Sequence, residues 1–135
     1  MTRQTEILAG LLLISVPGVQ FGGYSLLRLV TRREHGWEDN QLRRSLWRAG
    51  HAHAGVWIIL ALVVLLYVDQ VLSGTAATIA RFAVVLAPIF GPLGFFLSVT
   101  KPDAEKPNGA INLVYLAAGL LAIGVIITGI ALLIG

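Results

Sequence analysis

Four apolar stretches, residues 7–30, 49–68, 79–99 and 111–135, fill most of a 135-residue chain and leave only short polar connections between them. The hydrocarbon core of a bilayer is about 30 Å thick and takes roughly 20 helical residues to cross. Each stretch reaches that length, and each is apolar all round, where a helix on a soluble core would keep a polar face. In hydrocarbon an unpaired N–H or C=O finds no water, so helices that close their own backbone hydrogen bonds are the expected form. The sequence therefore predicts an all-α membrane protein, a single domain of four transmembrane helices. Short connections make the neighbours antiparallel, in one bundle.

Charge sharpens this reading. Ten Lys and Arg against seven Asp and Glu give a pI near 9.8. A basic chain can be a nucleic-acid binder, but here the basic residues are few and flank the spans. No polar segment is long enough to hold a nucleic-acid module. Cysteine is absent, which excludes disulfides, thiolate metal sites and a cysteine nucleophile. Eight of the ten basic residues are Arg, and Ala, Gly, Leu and Val abound, as in GC-rich bacterial coding. The first stretch has an early Arg3, as a signal peptide would. Its apolar character resumes past Pro17-Gly18 without a small-residue cleavage pattern, so it reads as a span.

The basic residues also set the expected orientation. Arg28, Arg32, Arg33, Arg43, Arg44 and Arg48 surround the first connection, and Lys101 and Lys106 lie in the third. The second connection has no basic residue, with Arg81 just beyond it and Arg3 alone at the N-terminus. Short loops rich in Lys and Arg stay in the cytoplasm. Four crossings then place both termini outside a bacterial inner membrane. After Gly36, Asp39 and Asn40 offer helix N-caps, and Leu42 and Leu46 are spaced by four. With Trp37 and Trp47, this segment reads as a short interfacial amphipathic helix running into the second span. It could serve as a membrane-surface anchor or dock a soluble partner.

Small residues and prolines mark where spans can approach or bend. Gly18 and Gly22 form a small-xxx-small pair; Pro88 and Pro92 predict a kink or local unwinding; Gly119, Gly124 and Gly129 recur at intervals of five. Steps of five advance about 140° past a full turn, so these three glycines cannot all face one neighbour.

The most distinctive segment is Arg48-Ala49-Gly50-His51-Ala52-His53-Ala54-Gly55. Positions i and i+2 point about 200° apart on a helix, so His51 and His53 cannot chelate one metal or supply both axial ligands of one haem. His35, the third histidine, lies in the polar loop. His51 and His53 can still hydrogen-bond in two directions. Tyr24, Ser25 and Arg28 on the first span, Ser98 and Thr100 on the third, and Asn108, Asn112 and Tyr115 on the fourth are expected at a similar depth. Together they would form a polar cluster. One reading of it is a network that fixes bundle register; the other is a headgroup, quinone or proton-relay site. At the opposite end Asp69 and Arg81 are expected to pair across a hairpin, unless Arg81 snorkels to phosphates. Gln20 reads as an interhelical hydrogen-bond donor.

At Arg-Ala-Gly-His-Ala-His-Ala-Gly, and at Tyr24-Ser25-Leu26-Leu27-Arg28 and the basic loop, the chain resembles small four-span bacterial membrane proteins of actinobacterial type. The resemblance implies the same fold over the whole chain and brings no activity with it. The His-x-His entering a span resembles, more distantly, the membrane subunits of respiratory oxidoreductases, whose further histidines on other helices are missing here. The sequence lacks a nucleophilic triad, an intramembrane carboxylate pair, a nucleotide loop and a full ligand set. It points to a non-catalytic integral subunit, surrounded by lipid and joined to a second copy or another membrane protein, with no cofactor. The alternatives are a haem- or quinone-associated redox subunit using His51 and His53, and a small oligomeric channel or transporter. The orientation is testable with single cysteines at Asn40 and Ser73 in intact cells. An impermeant reagent should label position 73 alone; preferential labelling at position 40 would invert the topology.

Overall fold

The computed structural model describes residues 1–32 and 39–135 of the chain. Four helices account for nearly all of these: α1 Arg3–Thr31, α2 Gln41–Val71, α3 Gly74–Leu97 and α4 Asn112–Ile134, the last preceded by a 3-10 turn at Gly109–Ile111. The described residues are all-α, and all four helices are long and apolar enough to cross a membrane. The expectations for His35, Gly36 and Trp37 fall outside the described residues.

Local signals explain the helix ends. Thr2 caps α1, its hydroxyl accepting from the Thr5 amide. Asn40 caps α2 through Arg43 N–H, at 2.9 Å, which relieves one of the four unpaired donors at a helix start. No proline lies between Gln41 and Val71, so α2 is continuous over 31 residues, about 46 Å by helical rise. The expected amphipathic helix running into the second span is therefore the first two turns of α2. Trp47 also departs from a purely headgroup role: its ring meets Phe96 of α3 edge-on at 6.0 Å, and Arg43 stacks over it at 4.7 Å. Between α2 and α3 only Leu72 and Ser73 intervene. Gly74 takes φ +56° there, a left-handed conformation natural to glycine that starts α3 earlier than its apolar run.

α3 is the centre of the bundle. Eleven of its residues are buried, against three of α1, seven of α2 and three of α4. It packs between α2 and α4; α1 rests mainly on α2 and does not touch α4 among the described residues. The expected unwinding at Pro88 and Pro92 does not occur, since α3 is helical through both. Each proline removes one donor, but both are buried where neighbouring helices hold the turn from two sides.

Lipid tails are as apolar as leucine, so helices here gain from close van der Waals contact rather than from leaving water. Four glycines supply that contact, and at one of them, Gly50 of α2, a Cβ would lie 2.9 Å from Phe95 Cβ of α3. A Cβ at Gly91 would lie 2.3 Å from the Trp57 ring of α2. One at Gly94 would lie 2.8 Å from the Val114 backbone nitrogen of α4, and one at Gly124 would lie 2.5 Å from Val84 and 3.0 Å from the Ala80 carbonyl. Gly18, Gly119 and Gly129 face open space, so of the five-spaced series only Gly124 serves the internal contact.

The two basic connections share one end of the bundle. Asn40 Nδ2 donates to the carbonyls of Pro102 and Ala104, at 3.0 and 2.9 Å. Asn108 then ties α3 to α4, donating from Nδ2 to Leu97 O and from its amide to Ser98 O while its Oδ1 accepts from Ala110 N–H. Substitution of Gly94 or Gly124 by alanine should cost about 1–3 kcal/mol, the range for overpacking. Gly119→Ala should be near neutral, and unfolding in mixed micelles reads the difference.

Candidate functional site

Two polar sites stand out, at opposite ends of the bundle. The first joins three helices around an ion pair. Arg81 Nη2 donates to Asp69 Oδ1 at 2.6 Å, with both side chains under one-tenth exposed. The loop of two residues between α2 and α3 brings the pair together, as the sequence predicts. It does not show the third member. Thr5 of α1 donates its hydroxyl to Asp69 Oδ1 at 2.8 Å and accepts from Arg81 Nε at 2.8 Å. Thr2 adds its backbone N–H and its hydroxyl to the Asp69 carboxylate. Gln4 accepts from Arg81 Nη1 at 3.4 Å. Each charge thus has several partners, as a buried pair requires if it is not to cost more in lost hydration than it returns. The only sequence signal for Thr5 was its place on the first turn of a span whose far partner was already polar.

The second site lies around the histidines. His53 turns toward α3, its Nδ1 bonding the Ala49 carbonyl at 2.7 Å. A carbonyl only accepts, so Nδ1 donates in this contact. Its ring packs against Trp57 at 5.1 Å and Phe95 at 5.0 Å. His51 turns instead toward α1. A Cβ at Gly23 would lie 3.0 Å from His51 Cε1 and Nε2, and one at Gly22 would lie 3.5 Å from Nδ1. The Gly22-Gly23 pair is therefore a cradle for an imidazole, whereas the expected pairing of Gly18 with Gly22 as a helix contact is not made. His51 is half-buried and has no hydrogen bond among the described residues.

The expected cluster across four helices does not assemble. Tyr24 and Tyr115 are 59% and 70% exposed, and Arg28 and Asn112 are exposed as well. Helical phase is the reason. Tyr24 follows the Gly22-Gly23 cradle by one step of about 100°, and Tyr115 sits two steps from Ala117, the buried face of α4. Ser98 is buried but bonds its own helix at Phe95 O. Ser25 likewise bonds Phe21 O. Gln20 is exposed and makes no interhelical hydrogen bond among the described residues. The sequence shows how far along a span each of these residues lies but not which way Tyr24, Arg28, Asn112 and Tyr115 turn around their helices.

Around His51 the groove between α1 and α2 opens into crevices of about 260 Å³ on each side of the ring. Val16, Val19, Gly55, Ile58 and Ile59 line one of them; Pro88 and Pro92 border the other. Toward the basic end the groove widens to about 580 Å³ between Leu26, Leu27 and Val30 of α1 and Gln41, Arg44 and Arg48 of α2. Among the described residues no three His, Asp or Glu side chains converge as metal ligands. Comparisons with protein-family models, curated proteins and solved structures find no match.

Thr5→Val removes both the donor to Asp69 and the acceptor for Arg81 at nearly constant volume. It should cost about 1–3 kcal/mol, the range for leaving buried polar groups unsatisfied. Thr5→Ser should recover most of this in the same unfolding measurement.

Proposed function

We propose that this chain is a non-catalytic integral subunit of a bacterial inner membrane, with both termini outside, that associates laterally with a second copy or with another membrane protein. The observation that carries this reading is the two-sided character of α4. Ala117, Gly124 and Thr128 are its buried residues, on the side packed against α3. Gly119, Ala122, Ile126 and Gly129 fall on the other side, within an arc of about 80°. Nothing lies within 4 Å of a Cβ placed at Gly119 or Gly129. Lipid chains gain nothing from small residues, whereas a second helix gains close approach from them. The shared end of the two basic connections supports the orientation, because both loops carry the Lys and Arg excess.

The alternatives have less support. A haem or metal held jointly by His51 and His53 would need convergent rings, and these face α1 and α3 respectively. A channel through one chain would need a continuous polar path; among the described residues the buried polar side chains are Thr5, Asp69 and Arg81, bonded to one another, and Thr128 and Ser98, each bonded to its own helix.

Native mass spectrometry in mild detergent and in lipid nanodiscs tests the proposal. The expected result is a defined oligomer or a co-purifying membrane protein, lost on combining Gly119→Leu with Gly129→Leu while helicity is retained. A uniform monomer in both media, with no partner recovered from native membranes, would rule it out.

A further inference from the structure

The groove between α1 and α2 is graded along its length, and the grading matches one class of molecule. Arg44, Arg48, His51, Gly55 and Ile58 are spaced four, three, four and three residues apart, which places them on one stripe of α2. The stripe faces α1 across the three crevices described above. Arg44 to Ile58 covers about 21 Å of helix, two-thirds of a bilayer core. At the wide end the guanidinium groups of Arg44 and Arg48 have no ion pair or hydrogen bond among the described residues. One turn deeper, His51 offers ring nitrogens that are likewise unbonded. Below it the walls are Val16, Val19, Ile58 and Ile59, with glycine rather than side chain at positions 18 and 55.

We propose that this groove binds one anionic phospholipid. Its phosphate sits at Arg44 and Arg48, the glycerol-ester region lies beside His51, and an acyl chain runs down the crevice past Gly55. The charge decides the class. Basic pockets between helices at the cytoplasmic face favour anionic headgroups over zwitterionic ones, whose own cation offsets the phosphate. A quinone would use His51 and the apolar crevice but would leave both arginines without a role. Guanidinium also presents its donors to phosphate in pairs, a geometry a solitary ammonium lacks. This site lies on α1 and α2, away from the open face of α4, so it stands whether or not α4 meets a partner.

The test is native mass spectrometry of delipidated full-length protein titrated with dioleoyl phosphatidylglycerol or dioleoyl phosphatidylcholine. The expected preference for phosphatidylglycerol is about thirty-fold, from about 1 kcal/mol for each of two arginines near the surface. Arg44→Gln with Arg48→Gln should abolish the preference, Arg44→Lys with Arg48→Lys should keep part of it, and Lys101→Gln with Lys106→Gln should leave it intact. Gly55→Leu, whose new side chain enters the crevice, should weaken binding of both lipids with the arginines untouched. Soluble glycerol phosphate should not displace the lipid, since it lacks the chain. Equal binding of the two lipids by the unaltered protein would overturn the proposal. So would a preference that survives loss of both arginines, or a retained quinone that depends on His51 while the two lipids bind alike.

Discussion

Asp69 and Arg81 form the one interaction on which the arrangement of three helices turns. They close the two-residue connection of α2 to α3, and through Thr5 and Thr2 they fasten the start of α1 to the same point. Removing one partner of a buried pair strands a charge and is strongly destabilising, by about 3–5 kcal/mol. In a bilayer the cost also constrains geometry, because an unpaired Arg must snorkel toward phosphates or stay in protein. The pair thus sets the register of α1 against the hairpin. From that register follow the burial of Leu8 and Leu12 and, five turns on, the seat of His51 against Gly22 and Gly23.

Between that end and the Asn40 and Asn108 ties at the other, the helices are held by shape. α3 meets α4 through Gly94 and Gly124, and α2 through Gly91 under Trp57. α1 has no comparable set of contacts: beyond Leu12 none of its residues is buried, and its glycines at 10 and 18 touch nothing. The consequence is a tight three-helix core with a fourth helix fastened at one end. The space this leaves along α2 is where the basic, polar and apolar walls succeed one another. Structure and proposed lipid binding are linked by this asymmetry rather than by any catalytic group.

The fold was legible because its main signal, four runs of about 20 apolar residues, depends on composition and length alone. The Asp69–Arg81 pair was legible for a similar reason: the short connection expected over residues 69–78 leaves the two ends of a hairpin little freedom. Thr5 was not, since its role depends on α1 returning to that hairpin, a long-range contact with no local pattern. The polar cluster failed on rotation. Residues 24, 112 and 115 lie near the depth of the histidines, yet helical phase turns them outward. Likewise Gly22 was visible as a small residue, but whether it admits a helix or an imidazole is decided by the side chain opposite. Two prolines in α3 suggested a break because sequence shows the lost donors and not the packing that keeps the helix whole.

A double-mutant cycle on Asp69→Asn and Arg81→Gln, followed by unfolding in mixed micelles, tests the central role of the ion pair most directly. Each single substitution leaves its partner facing an uncharged group, so the two effects should overlap strongly when combined. The account predicts a coupling of about 1–3 kcal/mol, the upper part of the range for residues in direct contact. Strictly additive losses would mean that the two side chains act independently, and that the register of α1 rests on something else.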